Sequence, residues 1–129
     1  MFEMKEEFYT GIELIDEEHA ELFRIAQRAY DLAMDEFIVD KYDNIIDIID
    51  ELKNYAKKHF ADEEAYMESI QYKKLFTQKI EHNQFVEKLE EVDLRKIEDN
   101  QSGAILKLLE FLNDWLVEHI MEKDMLIGK

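Results

Sequence analysis

Apolar residues recur at steps of three and four along most of the chain, the spacing of helices that each bury one face. From His19, the set Leu22, Phe23, Ala26, Tyr30, Ala33 and Phe37 predicts a first helix over about Glu17 to Phe37. Ile15-Asp16-Glu17-Glu18 reads as its start, with Asp16 as N-cap and acidic residues suited to the positive end of the helix dipole. A polar break near Val39 to Asp43 leads to a second helix. Its inward side carries Ile45, Ile48, Ile49, Leu52, Tyr55, Ala56, His59, Glu63, Tyr66 and Met67, and it stops near Ser69. The third helix, from about Tyr72 to Leu94, uses Leu75, Gln78, His82, Phe85, Val86 and Leu89. The fourth opens near Asn100 to Gly103 and buries Ile105, Leu108, Leu109, Leu112, Trp115, Leu116, His119 and Ile120.

Composition narrows the architecture. Proline is absent and only Gly11, Gly103 and Gly128 interrupt the good helix formers, so the chain is expected to be all-α. Helices of roughly 20 residues span about 30 Å each. Joined by short connections, they stack as an up-down-up-down four-helix bundle behind an N-terminal arm that carries Phe2, Phe8 and Tyr9. With 129 residues there is room for one core, so residues 1–129 are expected to form a single domain.

Charge and residue usage exclude several functions. A net charge of -16 repels phosphate backbones and anionic lipid, which argues against nucleic acid and membrane surfaces as partners. Without cysteine there are no disulfides, thiolate zinc sites, iron–sulfur clusters or cysteine nucleophiles. Met1 to Thr10 holds no apolar run of signal-peptide or membrane-spanning length, which makes the cytoplasm the default location.

The four histidines, His19, His59, His82 and His119, fall one on each predicted helix and all within the apolar stripes. A single histidine there is ordinarily a hydrogen-bonded core residue. Four uncompensated imidazoles near one bundle axis would cost several kcal/mol in unpaired polar groups, and a shared metal removes that cost. His59 and Glu63 stand one turn apart on the inward stripe, so both can reach one ion. Asp62 and Glu64 flank that stripe and are expected in solvent. On the fourth helix a five-residue step from His119 to Asp124 rotates about 140°, so an ideal helical wheel favours Glu122 over Asp124 as the partner of His119.

Ile15-Asp16-Glu17-Glu18-His19, His59-x-x-x-Glu63, His82-x-x-Phe85 and Trp115-x-x-x-His119-x-x-x-x-Asp124, in this order, resemble the iron-binding motifs of the hemerythrin family. One such motif alone is weak, whereas the ordered set on four helices is specific and covers nearly the whole chain. The resemblance implies two iron ions bridged by Glu63, Asp124 and an oxo or hydroxo oxygen. His19 and His59 would bind the iron with the open position for dioxygen, and His82 and His119 the other. Imidazole and carboxylate donors suit iron without excluding manganese or zinc. It also reverses the wheel's preference and selects Asp124.

One position departs from the family pattern. Gln78 stands where a histidine is expected four residues before His82. An amide oxygen is a weaker donor than imidazole. The second iron would then bind through Gln78, take water, or recruit a carboxylate such as Glu81. Alternatively, Gln78 only hydrogen-bonds a ligand. Leu22, Phe23, Phe60, Trp115, Leu116 and Ile120 form core in any case. By resemblance they would also line the dioxygen pocket and keep water out.

The expected function is reversible binding of dioxygen for storage, delivery or sensing. The alternative is an enzyme reducing hydrogen peroxide or dioxygen with an unidentified electron donor, favoured by Gln78. A purely structural metal-holding bundle is a third class. A sensor would need an output domain or a partner surface, and the chain is too short to carry the former.

Overall fold

A computed structural model of the chain describes residues 2–35, 42–91 and 101–128. After a 3-10 turn at Glu6–Phe8 come α1 (Glu13–Met34), α2 (Tyr42–Ser69), α3 (Leu75–Glu91) and α4 (Gln101–His119). A π turn at Ile120–Asp124 and a final short helix, α5 (Met125–Ile127), complete the described chain. With 28 residues, α2 is the longest, about 42 Å at 1.5 Å per residue.

Pairs across the helices give their directions. Arg28 meets Glu51 while His19 lies against His59, so α1 and α2 are antiparallel. Lys57 pairs with Glu90 and Glu64 with His82, which makes α2 and α3 antiparallel. Phe85 stacks with Phe111 and Gln78 bonds Asp124, so the chain reverses again from α3 to α4. The result is the up-down-up-down four-helix bundle that the apolar stripes predict.

The inward residues form two apolar clusters of unequal size. The main one runs from Phe2 and Phe8 of the arm through Leu22, Phe23, Ile49, Leu52, Phe60, Phe85, Leu109 and Leu116 to Ile120. A smaller one at the other end holds Ile15, Met67 and Ile127, with Ile12, Tyr66, Tyr72 and Leu75 packed against it. Every histidine lies in sequence between a residue of the main cluster and one that belongs to the smaller cluster or, for His82, packs against it (Leu75), so apolar residues flank the polar layer at both ends. Burial of this kind supplies most of a helix's stability in a bundle.

Local signals explain most helix ends. At the end of α2, Gln71 takes a left-handed φ of 55°, Tyr72 N–H donates to Met67 O and Gln71 N–H to Glu68 O. This is a Schellman motif, and Tyr72 packs against the small apolar cluster that contains Met67, the kind of apolar burial that accompanies it. The start of α1 corrects the expectation from sequence. The helix begins at Glu13, with Ile12 in the N-cap position, so Asp16 is not the N-cap. Asp16 instead folds back from inside the first turn. Its carboxylate accepts hydrogen bonds from Thr10 N–H at 2.7 Å, the Thr10 hydroxyl at 2.8 Å and Gly11 N–H at 3.0 Å. A lead-in whose donors face a carboxylate rather than water makes that arrangement stable.

Of the other predicted bounds, Tyr42 and Asp43 are already helical, so α2 begins inside the expected polar break. Leu75, not Tyr72, begins α3, because Tyr72 completes the preceding turn. Phe37, Val39, Leu94 and Asn100 lie outside the described residues.

Candidate metal centre

His19, His59, His82 and His119 are all buried, and they surround the carboxylates of Glu63 and Asp124, both 0% exposed. Glu63 divides its oxygens between two sides. Its Oε2 lies 3.2 Å from His59 Nε2 and 3.6 Å from His19 Nε2, while its Oε1 lies 3.1 Å from His82 Nε2 and 3.9 Å from His119 Nε2. Asp124 divides in the same way, with Oδ2 3.1 Å from His19 Nε2 and Oδ1 3.2 Å from His119 Nε2. Two donor groups result, His19 with His59, Glu63 and Asp124, and His82 with His119 and the same Glu63.

Asp124 reaches the layer through the backbone. Beyond His119 the helix widens into the π turn, where Met125 N–H donates to Ile120 O, five residues back. That extra residue per turn cancels much of the about 140° offset expected of a five-residue step, and brings Asp124 beneath His119. Glu122, which the ideal wheel prefers, is exposed. Ile127 then anchors the end of the chain in the smaller apolar cluster. Gly128 lies so close to the first loop that a Cβ there would stand 2.2 Å from Thr10 O.

Several buried polar atoms here have no hydrogen-bond partner among the described residues: both oxygens of Glu63, Asp124 Oδ2, Gln78 Oε1 and His19 Nδ1. Such orphans each cost about 1–3 kcal/mol, more for charged groups, unless something else satisfies them. All but His19 Nδ1 are oxygens of the kind that bind a hard or borderline cation, so the residues fit a metal pair. Gln78 is buried, and its Nε2 donates to Asp124 Oδ1 at 3.3 Å. Its Oε1 is the amide atom left without a hydrogen-bond partner among the described residues.

Three further carboxylates hold the outer edges of the imidazoles: Glu18 and Glu64, not singled out as donors from the sequence, and Glu81, named there only as a carboxylate the second iron could recruit. Glu18 Oε1 is 3.0 Å from His59 Nδ1, Glu64 Oε2 is 2.8 Å from His82 Nδ1, and Glu81 Oε2 is 3.3 Å from His119 Nδ1. Glu64 is thus no solvated flank, whereas Asp62 pairs with Lys58 at the surface as expected. Glu81 sits on the far edge of His119 and is not in the donor groups. The overlooked signal was adjacency: each of the three stands next to a site residue on its own helix and serves the histidine of the next helix.

Electrostatics inside the layer are strong. Burial disfavours charge on His59, but the hydrogen bond to Glu18, the close approach of Glu63 and the fields of Glu63 and Asp124 outweigh it and raise its pKa to about 9. For His119 burial is likewise overcome by Asp124 and Glu63, to about 10. His19 is raised despite burial by Asp124 and Glu63, against the neighbouring His59. Burial alone would raise the pKa of Glu63, yet the four surrounding imidazoles hold it well below the usual carboxylate range. A cation entering this layer competes with protons for the same nitrogens.

Comparison with known proteins agrees with this geometry. Residues 10–129 match the family model described as the hemerythrin HHE cation binding domain. The chain belongs to the hemerythrin family. It is 52% identical to the bacteriohemerythrin of Clostridium acetobutylicum over 96% of each chain. It is also 30% identical to the myohemerythrin of Sipunculus nudus, over 92% of this chain and 84% of that protein. The bacteriohemerythrin of Pseudomonas aeruginosa is 29% identical over 93% of this chain and 74% of its own. Hemerythrins carry a non-haem di-iron centre and bind dioxygen, and the two groups of buried His, Glu and Asp described above could hold metal.

The apolar residues named from the sequence all join the main core. Phe60 stacks on His82 at 4.1 Å between ring centres, and Trp115 on His119 at 4.4 Å. Trp115 is half-buried and the other five are buried. Two surface clefts, of about 210 and 240 Å³, reach the outer edges of His119 and His82. No helix among the described residues is long and apolar enough to cross a membrane.

Proposed function

We propose that residues 1–129 act as one hemerythrin-like domain that holds two irons and binds dioxygen reversibly. In this reading His19 and His59 would hold one iron, His82, His119 and Gln78 the other, and Glu63 and Asp124 would be shared by both. The observation that carries it is the division of both carboxylates, each with one oxygen toward the His19 side and the other toward His119. The arm beyond the family match belongs to the same unit, because Phe2 and Phe8 are buried in its core.

The di-iron centre supplies electrons and an open position for dioxygen when bound. The chain's own residues do the rest. The two sides have unequal donor sets: His19 and His59 add two side chains to the shared carboxylates, and the other side adds three if Gln78 Oε1 is counted. With Gln78 counted, the His19 side would be the one left to meet dioxygen, as the family resemblance implies. Leu22, Phe23, Leu116 and Ile120, each at most 3% exposed, exclude water from the bundle interior, with Phe60 and Trp115 walling the opposite side. A dry lining slows proton delivery and favours release of dioxygen over its reduction. Catalytic reduction of peroxide, the alternative raised by Gln78, draws no support from the relatives.

Anaerobic loading with ferrous iron, followed by cycles of air and argon under rapid-scan visible spectroscopy, tests this reading. Two irons per chain and a colour change that reverses over several cycles are expected. One iron per chain, or irreversible oxidation in the first cycle, would overturn it.

A further inference from the structure

The three outer carboxylates follow a rule around the bundle. Glu18 of α1 reaches His59 of α2, Glu64 of α2 reaches His82 of α3, and Glu81 of α3 reaches His119 of α4. The cycle is not closed: His19 Nδ1 has no hydrogen-bond partner among the described residues. Both histidines on the Gln78 side are therefore backed by a carboxylate, against one of the two on the other side. That side is also where the family's third imidazole is replaced by an amide.

We propose that Glu64 and Glu81 are positioning residues that strengthen the metal position served by His82 and His119, offsetting the weak donor at Gln78. This rests on the di-iron reading above. A carboxylate accepting the Nδ1 proton leaves Nε2 as the bare donor, sets the ring's angle and makes that nitrogen more basic toward a cation. Geometry supports the role. Each Nε2 points at Glu63 Oε1 or Asp124 Oδ1, on the opposite edge of the ring from its outer carboxylate. Glu81 is itself held by Lys123, 3.5 Å away. Glu64 and Glu81 are partly exposed, so changing them to glutamine keeps an acceptor and removes a charge without opening a cavity.

The test is ferrous iron binding to the full-length chain in the variants E64Q, E81Q and E18Q, each with and without Q78H. Affinity for each iron is read by chelator competition, and the two irons are distinguished by their Mössbauer signals. E64Q and E81Q should each weaken one iron by about 10–100-fold, leave the other within a few-fold, and shift one Mössbauer doublet only. Q78H should restore most of that loss. E18Q should act on the other iron and gain nothing from Q78H. Unchanged affinities in E64Q and E81Q would overturn the inference, as would equal weakening of both irons with no rescue. If wild type itself binds fewer than two irons, the di-iron reading fails first. Two irons in wild type with indifferent variants would sink this inference alone.

Discussion

The two sides of the metal layer are built from the same residue types but held differently. On one side His19 and His59 share a single outer carboxylate, and no hydrogen bond steadies His19 Nδ1 among the described residues. On the other, His82 and His119 are each backed by a carboxylate and stacked on an aromatic ring. The less braced side holds His19 and His59, and the braced side is the one that Gln78 adjoins through Asp124. A ligand-binding position needs an open site and freedom to adjust, whereas a position that only holds its iron gains from rigidity. On the proposed reading the asymmetry would be a division of labour within one layer, with Glu63 and Asp124 as its shared boundary.

The most severe way to break that comparison is to remove the boundary. Glu63→Ala takes an oxygen from each side at once, so both irons should be lost, with affinity falling more than about 100-fold, beyond the range of an outer partner. Metal analysis after loading and desalting checks it. A variant retaining one tight iron would show that Glu63 serves a single side.

Next in size is the response to metal removal and pH. The raised pKa values of His59 and His119 mean that, in chelator, their contribution to stability is complete below the ordinary histidine pKa of 6.5. It fades as pH rises toward about 9 for His59 and about 10 for His119. Glu63 has the opposite sign: its lowered pKa contributes stability above the usual carboxylate range, lost in acid. Iron binds deprotonated imidazole, so its stabilisation grows with pH. Melting curves with iron and with chelator should thus separate increasingly from pH 6 to 9. A constant gap would mean that the imidazoles are not the groups that iron displaces protons from.

A smaller effect is expected at the chain's end. Gly128→Ala places a methyl against Thr10 O, backbone that cannot swing aside, and should cost about 1–3 kcal/mol. Because the same turn carries Asp124, both irons should loosen together, unlike the one-sided effects of Glu64 and Glu81. Denaturant unfolding and iron retention measure the two consequences. Wild-type stability in this variant would show that the terminus does not dock.

The mildest change serves as a reference. Gln71 pays for a left-handed backbone that glycine adopts freely, so Gln71→Gly should stabilise the chain by up to about 1 kcal/mol. It should leave the ratio of the two iron affinities untouched. A shift in that ratio would mean that the α2–α3 turn communicates with the metal layer.

Much of this molecule was legible beforehand because its signals are local. Three-and-four spacing placed Leu22, Ile49, Phe85 and Leu112 in the core, and the same register placed His19, His59, Glu63, Gln78, His82 and His119 on the inner faces. Errors arose where a side chain acts away from its own turn. Asp16 looked like an N-cap by composition, yet it gathers the donors of Thr10 and Gly11 from within the helix. Glu64 stands one step of about 100° from Glu63, off the axial stripe, and a helical wheel assigns that direction to solvent. A neighbouring helix occupies it instead.

The sequence by itself determined the helices, their inward stripes and the inventory of donors, since each depends on residues a turn or two apart. Tertiary structure alone decided which oxygen of Glu63 and Asp124 faces which pair of histidines, and which carboxylates brace them. Asp124 is the sharpest case. On an ideal helix it turns away from His119, and only the π turn, followed by the docking of Ile127 beside Ile15 and Met67, carries it into the layer. One widened turn forgoes regular hydrogen bonding, and side-chain periodicity does not encode it. What offsets its cost is packing and ligation contributed by other helices, which the order of residues along α4 does not contain.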